Sequence, residues 1–360
     1  MELNSSKNKF NNLKSNYFLE KLFSFPKKKT SLEIIKYNKK IQQNLKMNIN
    51  DSKKFCEEFS SIEIELVIAK DKYGEFIHIK NKDDEKYFHI YFNNNTKEEI
   101  KRTYLNKNEN VTNIKIVISH QIKSFERLFY KCECIKHISF PKFYRINITS
   151  TSDMFFNCYS LENFDLTNFK TNNITDMDEM FLGSIMKKID VSNFITNKVI
   201  KIYGLFVGCR NLEELNLENF NTENVIDIRG MFEQCKSLKK LNISNFNTSH
   251  ITTMSNMFRD CTSLEELNIN GFDTTNVTDM GYMFYFCTKL KKLNLNHFNT
   301  INVVDMNSMF EKCESLEELN IANFNINNVN DANHMFVGCS ENLKNSVREQ
   351  LPNLPNEAFI

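Results

Sequence analysis

The chain has 360 residues, 41% of them hydrophobic and 25% charged, and a formal net charge of +1. That balance excludes a general electrostatic pull toward nucleic acid or an anionic membrane surface. No run reaches the roughly 18 apolar residues that a membrane-spanning helix needs, so no membrane span is expected.

The opening stretch MELNSSKNKFNNLKSNYF has no continuous apolar segment of the kind that begins a secretory leader, so a cytoplasmic location is expected ahead of the cell surface. The first 54 residues hold 13 Lys against 4 acids, which makes this end locally basic. Residues 1–60 read as helical: Leu32, Ile35, Ile41 and Leu45 form a partial apolar face, and Asp51-Ser52 suits a helix start. Residues 61–121 read as a β-rich module that caps the array that follows. Period-two patterning predicts strands over 61–69, 75–80 and 86–92. A helix is expected over Thr96 to Leu105, then a strand from Val111 to Ser119.

From residue 122 to 345 the chain repeats itself. A Met-Phe or Leu-Phe pair begins at 128, 154, 180, 205, 231, 257, 283, 309 and 335, always 26 residues apart except for 25 between 180 and 205. One unit reads Met257-Phe258, Cys261, Leu264, Leu267, Ile269, Phe272, Val277 and Met280. The alternation of Leu267 and Ile269 predicts a short strand. Spacings of three, three, one and three predict one face of a short helix or 3₁₀ turn around the Met-Phe pair. Each coil is therefore expected to run strand, turn, short helix, turn, and coils must stack to bury their apolar edges. Leu343, Val347 and Leu351, four residues apart, predict a capping helix closed by Pro352, and residues 346–360 are expected to form a C-terminal cap or tail.

The frame L-x-x-L-x-L followed by V-x-x-M-x-x-M-F-x-x-C resembles the BspA-like class of leucine-rich repeats, over about residues 122–345. The variant is similar to Asn-Phe-Asn-Thr repeats of bacterial surface proteins and large protist families. The resemblance implies an α/β leucine-rich-repeat solenoid with an N-terminal α+β module. It also implies protein binding or adhesion rather than catalysis. A second stretch, F-L-E-K-L-F-S-F at 18–25 with L-E-I-I-K-Y-N-K-K-I at 32–41, is similar to an F-box. That likeness implies a substrate adaptor of a cullin ubiquitin ligase, although the usual Leu-Pro opening is missing and Pro26 replaces the final Leu.

Five columns run through the repeat. Cysteines at 132, 158, 209, 235, 261, 287, 313 and 339 have no C-x-x-C spacing, so buried thiols are expected rather than a metal cage. The Phe columns, one in the Met-Phe pairs and one running from Phe169 to Phe324, sit on the apolar period and predict stacked core rings. Charged doublets alternate in sign: Lys187-Lys188, Glu213-Glu214, Lys239-Lys240, Glu265-Glu266, Lys291-Lys292, Glu317-Glu318. Stacking predicts ion pairs between neighbouring coils, and a mixed-charge docking face is the functional alternative. The column Asn216, Asn242, Asn268, Asn294, Asn320 is expected to face outward, on the concave surface of this fold class, with its amides pairing along the stack. The candidate partner-binding set is Glu214, Asn216, Lys240, Asn242, Glu266, Asn268, Lys292, Asn294, Glu318 and Asn320.

The seven His are scattered and eight Gly build no phosphate loop, so neither catalysis nor a cofactor is expected. The reading is a monomeric, non-enzymatic protein–protein interaction scaffold. An F-box-like adaptor and a surface adhesin are the alternatives.

Overall fold

A computed structural model describes residues 61–119, 122–143 and 147–360. The helical and F-box-like readings of residues 1–60 lie outside the described residues. From Ile62 to Ile360 the chain forms one compact unit. It is mixed in class and mostly strand, and it is built on the repeat.

Strand β1 (Ile62–Ile68) buries Ile62, Ile64, Leu66 and Ile68 and turns Glu63, Glu65 and Val67 outward. It pairs antiparallel with β5 (Asn113–Ile118), setting Ile62 opposite Ile118 and Ile64 opposite Ile116. β3 (Phe88–Phe92) joins the far side of β5, and β6 (Ile135–Phe143) joins β1. β6 is antiparallel to β1 but parallel to β7 (Asn163–Asp165), the strand 26 residues further on. One five-stranded sheet, β3-β5-β1-β6-β7, thus leads from the N-terminal module into the repeats.

Two expectations in this module are corrected. The strand over 75–80 reduces to β2 (Gly74–Glu75), because the adjacent residues Phe76 and Ile77 are both fully buried. A half-buried strand must alternate, and two consecutive inward side chains break it. The helix over Thr96–Leu105 is absent. Ile100 bonds back to Ile90 through its N–H at 2.8 Å, and Tyr104–Leu105 form β4, paired with β2. The third strand also starts late, since Lys82–Tyr87 form a 3₁₀ turn capped by the Asn81 side chain.

Within each coil the Met-Phe segment is a run of turns, which corrects the expected short helix and keeps only the three-back bonds of the expected 3₁₀ turn. Alternate N–H groups leave the coil: those of Met254, Asn256, Phe258 and Asp260 donate to the carbonyls of Asp279, Gly281, Met283 and Tyr285 at 2.8–3.0 Å. The intervening Met257, Arg259 and Cys261 donate three residues back within the coil. An α-helix would keep all its N–H groups for itself. The alternation needs two left-handed residues per coil, one before the pair and one two after it. Asn256 (φ 59°) and Asp260 (φ 59°) fill them here, and Gly204 and Gly208 fill them in the coil of Leu205. All nine coils share this geometry, from Arg127 and Lys131 to His334 and Gly338.

The apolar columns lie inside. Phe232, Phe258 and Phe284 are fully buried, with ring centroids 5.7 and 5.5 Å apart and planes within 11°. The stack is unbroken from Phe129 to Phe336. In the second Phe column only some neighbours stack, such as Phe220 and Phe246 at 6.1 Å. Between the columns runs a row of buried threonines. Thr274 Oγ1 donates to the Asn299 carbonyl at 2.9 Å and accepts the Asn299 N–H at 2.8 Å. The same reciprocal pair recurs at Thr196, Thr222, Thr248 and Thr300. Thr274→Val keeps the shape of the buried side chain but leaves the Asn299 N–H and carbonyl, both in part-buried bonds, without their partner. It should lower the unfolding free energy by about 1–2 kcal/mol in a denaturant titration.

The C-terminal end closes on the same pattern. Helix α1 (Glu341–Gln350) starts earlier than the expected tail, capped by Ser340, and buries Leu343 and Val347. Gln350 donates to the Leu319 carbonyl and accepts the Ile321 N–H, occupying the edge of the last repeat strand. The His334 and Phe336 N–H groups donate to Glu357 and Ala358 carbonyls, and Phe359 stacks on Phe336 at 5.6 Å. Ala358-Phe359 therefore stands where a further Met-Phe pair would lie.

Candidate interaction surface

The outward strip of the array is built by the short strands β8 (Lys188–Ile189), β9 (Glu214–Leu215), β10 (Lys240–Asn242), β11 (Glu266–Asn268), β12 (Lys292–Asn294) and β13 (Glu318–Asn320). Leu241 and Ile243 point inward and are buried, so Lys240 and Asn242 point out. The candidate residues thus lie on one face. The six charged side chains of the second doublet positions are each 63–70% exposed.

The strands do not form one continuous sheet. They join in pairs, β8–β9, β10–β11 and β12–β13, in parallel register with Lys240 opposite Glu266 and Asn242 opposite Asn268. The ion pairs follow the same rule. Lys187–Glu213 (2.9 Å), Lys188–Glu214 (3.0 Å), Lys240–Glu266 (2.5 Å) and Lys292–Glu318 (2.5 Å) all run from a Lys coil to the next Glu coil. Among the described residues no ion pair or strand pairing spans the reverse steps, from Glu213-Glu214 to Lys239-Lys240 or from Glu265-Glu266 to Lys291-Lys292. The expected ladder with an ion pair at every coil is corrected to alternate junctions. One further pair lies outside the doublets: Lys136–Glu162 (3.4 Å) spans the β6–β7 junction in the same frame. The alternation therefore begins two coils earlier, hidden because His137 and Asn163, themselves hydrogen-bonded, take the second positions.

The asparagine column is also corrected. Its amides do not pair along the stack. Each Asn Oδ1 accepts the N–H two residues on: Asn216 from Glu218, Asn242 from Ser244, Asn268 from Asn270, Asn294 from Asn296 and Asn320 from Ala322, at 3.0–3.4 Å. Asp165 and Asp190 do the same in the earlier coils. The column is a row of turn formers that ends each strand.

The cysteine column holds no disulfide, and among the described residues no acid, His and Cys cluster suits a metal. The thiols do more than fill space. Cys261 Sγ donates to the Phe232 carbonyl at 3.1 Å, and Cys235, Cys287, Cys313 and Cys339 repeat the bond to the preceding Phe. Burial pushes the Cys209 and Cys261 thiols up to about 12, so thiolate chemistry is suppressed.

Away from the strip, at the left-handed corner, Arg127, Asp153 and Glu179 stack in three successive coils. Arg127 Nε lies 3.2 Å from Asp153 Oδ2. Burial and a hydrogen bond to Asp153 hold the Glu179 carboxyl well above the usual range, and its chain lies over Gly204, where a Cβ would meet Glu179 Cγ at 3.3 Å. Burial, then the nearby Asp176, pushes Asp178 up to about 6. These acids keep protons in the folded chain that the unfolded chain releases. Their stabilisation is full below the unfolded values and is lost as pH rises through about 6 and beyond. Glu109, held down to about 2 mainly by its hydrogen bond from Arg102, acts in the opposite sense and only on the acid side. The melting temperature should therefore fall between about pH 4.5 and about pH 7, and Glu179→Gln should flatten the upper part of that slope.

One polar cluster in the N-terminal module brings together groups that the sequence reading left scattered. His89 Nδ1 lies 2.8 Å from Glu99 Oε1 and His89 Nε2 lies 3.5 Å from Ser119 Oγ. Lys101 also holds that Glu99 oxygen, at 2.7 Å, and the Ser119 N–H is spent on the Tyr87 carbonyl.

No helix among the described residues is long and apolar enough to cross a membrane. No curated protein matches the chain. A family model described as a Mycoplasma protein of unknown function, DUF285, matches it three times, over residues 123–241, 200–294 and 230–349. The matches overlap as a repeat requires, and together they span more than half of the chain. The chain belongs to the DUF285 family.

Proposed function

We propose that the protein is a non-enzymatic interaction scaffold, a leucine-rich-repeat solenoid of BspA-like kind that docks a protein partner on its strand strip. The observation that supports this reading is the strip itself. It is a regular row of exposed charges of both signs, set on short strands over a buried apolar core. The thiols are buried, the Asn Oδ1 atoms are used in turns, and the charged outward groups are the Lys and Glu ends. Such a surface favours a charge-complementary protein over a small molecule, for which deep apolar pockets are the rule. The test compares the native chain with a variant carrying alanine at Lys240, Glu266, Lys292 and Glu318. The variant should keep its melting temperature within a few degrees and lose a partner captured by the native chain. If it retains every captured partner, the strip is not the docking face.

A further inference from the structure

We propose that a partner for the strip is a second copy of this chain, docked face to face about a two-fold axis parallel to the strands. The inference rests on reading the strip as a docking surface, and it replaces the expectation of a monomer. It follows from the order of charges. Along the stack the strands β6 to β13 carry Lys136, Glu162, Lys187-Lys188, Glu213-Glu214, Lys239-Lys240, Glu265-Glu266, Lys291-Lys292 and Glu317-Glu318. That is eight bands of strictly alternating sign, beginning with Lys and ending with Glu.

Two such strips can face each other by two kinds of two-fold axis in the plane of contact. An axis along the stacking direction leaves the band order unchanged and sets Lys against Lys at every level. An axis along the strands reverses the order, so the first band meets the last and the fourth meets the fifth. With an even number of alternating bands, reversal sets every Lys band against a Glu band. Centred between β9 and β10, it puts Glu213-Glu214 of one copy opposite Lys239-Lys240 of the other, and the reverse by symmetry. The pattern thus selects one isologous arrangement and penalises the other.

The open junctions add to this. Glu214 and Lys240 are each ion-paired on one side, to Lys188 and Glu266, but not to each other, and the docked copy supplies each with a second opposite charge. The strip is small. Seven spacings of roughly 4.8 Å give a length of about 34 Å and a width of a few residues. Such an interface lies at the weak end of specific association, so the dimer should exchange rapidly and dissociate with salt.

The test is sedimentation velocity on the full chain at low salt. The native protein should show a monomer–dimer equilibrium that shifts to monomer by at least tenfold in dimer constant between about 50 and about 500 mM salt. K239E/K240E should lose the dimer, because Glu then faces Glu at the centre. E213K/E214K should lose it for the mirror reason. An equimolar mixture of the two variants should restore it, since each then meets its opposite. An unfolded variant cannot be rescued by mixing, so rescue separates docking from misfolding. A native chain that stays monomeric up to about 1 mM at low salt overturns the proposal, as does a mixture that remains monomeric. If the native chain is monomeric yet still loses a different partner with the four alanines, this inference fails and the scaffold reading stands.

Discussion

Phe258→Ala is expected to lower the unfolding free energy by about 3–5 kcal/mol, a large part of the stability of a typical domain. Phe258 is fully buried at the middle of the ring stack, between Phe232 and Phe284. Its removal takes away the transfer free energy of a large side chain and leaves a cavity. That cavity cannot collapse easily, because the backbone on both sides is fixed by the hydrogen bonds of Phe232 and Phe258 to the coils beyond. The Cys261 and Cys287 thiols anchor the Phe232 and Phe258 carbonyls as well. A urea titration measures the loss. Phe246→Ala should cost less, since Phe246 stacks on Phe220 alone whereas Phe258 stacks on both neighbours. A Phe258→Ala effect below about 1 kcal/mol would contradict a close-packed ring column.

Removal of residues 355–360 should be nearly as damaging, although it leaves every repeat intact. Phe359 is 6% exposed, lies against Phe336, and has the Arg348 guanidinium 4.2 Å from its ring centroid. Without it the Phe336 ring faces water and the N–H groups of His334 and Phe336 lose their partners. The loss of one buried aromatic and two hydrogen bonds amounts to about 3 kcal/mol. The shortened chain should also associate end to end through its uncovered terminal coil, as repeat arrays without caps do. That association is apolar and should persist at high salt, which sets it apart from docking of the charged strips. Light scattering at high salt reads it directly. A shortened chain that stays monomeric and equally stable would show that Ala358-Phe359 does not act as a terminal coil.

Much of this architecture was legible in the residues because a 26-residue period repeats the same physical demand. The Phe, Met, Val and Leu columns identified the core, and the buried cysteines followed from their fixed place in the frame. The Lys-to-Glu ion pairs followed from parallel stacking. The left-handed corners did not. Only five of their eighteen positions are glycine, and residues such as Tyr282 and Phe286 (φ 57° and 59°) conceal the rest. Asn256, Asp260, Asp153 and Asn157 at the same offsets were the available signal, since these types tolerate that conformation best. The apolar spacing of three looked helical, but it arises from turns whose alternate N–H groups serve the next coil. The paired strands were also invisible, because a sign alternation looks the same whether every junction closes or every second one. In the N-terminal module, the side-by-side burial of Phe76 and Ile77 is a tertiary effect that no local pattern announces.

The central claim is that the left-handed corners form the continuous spine of the stack, while the strand side closes only from Lys coil to Glu coil. Residue-resolved hydrogen exchange tests it most directly. The amides of Phe206, Phe232, Phe258, Phe284 and Phe310 each donate to the next coil and should be among the slowest to exchange. On the strand side the Glu213, Glu265 and Glu317 amides, bonded to the Lys187, Lys239 and Lys291 carbonyls, should be protected. The Lys239 and Lys291 amides between them should exchange faster, giving an alternation with a two-coil period. Uniform protection along the strand side, or rapid exchange at the Phe amides, would contradict the account.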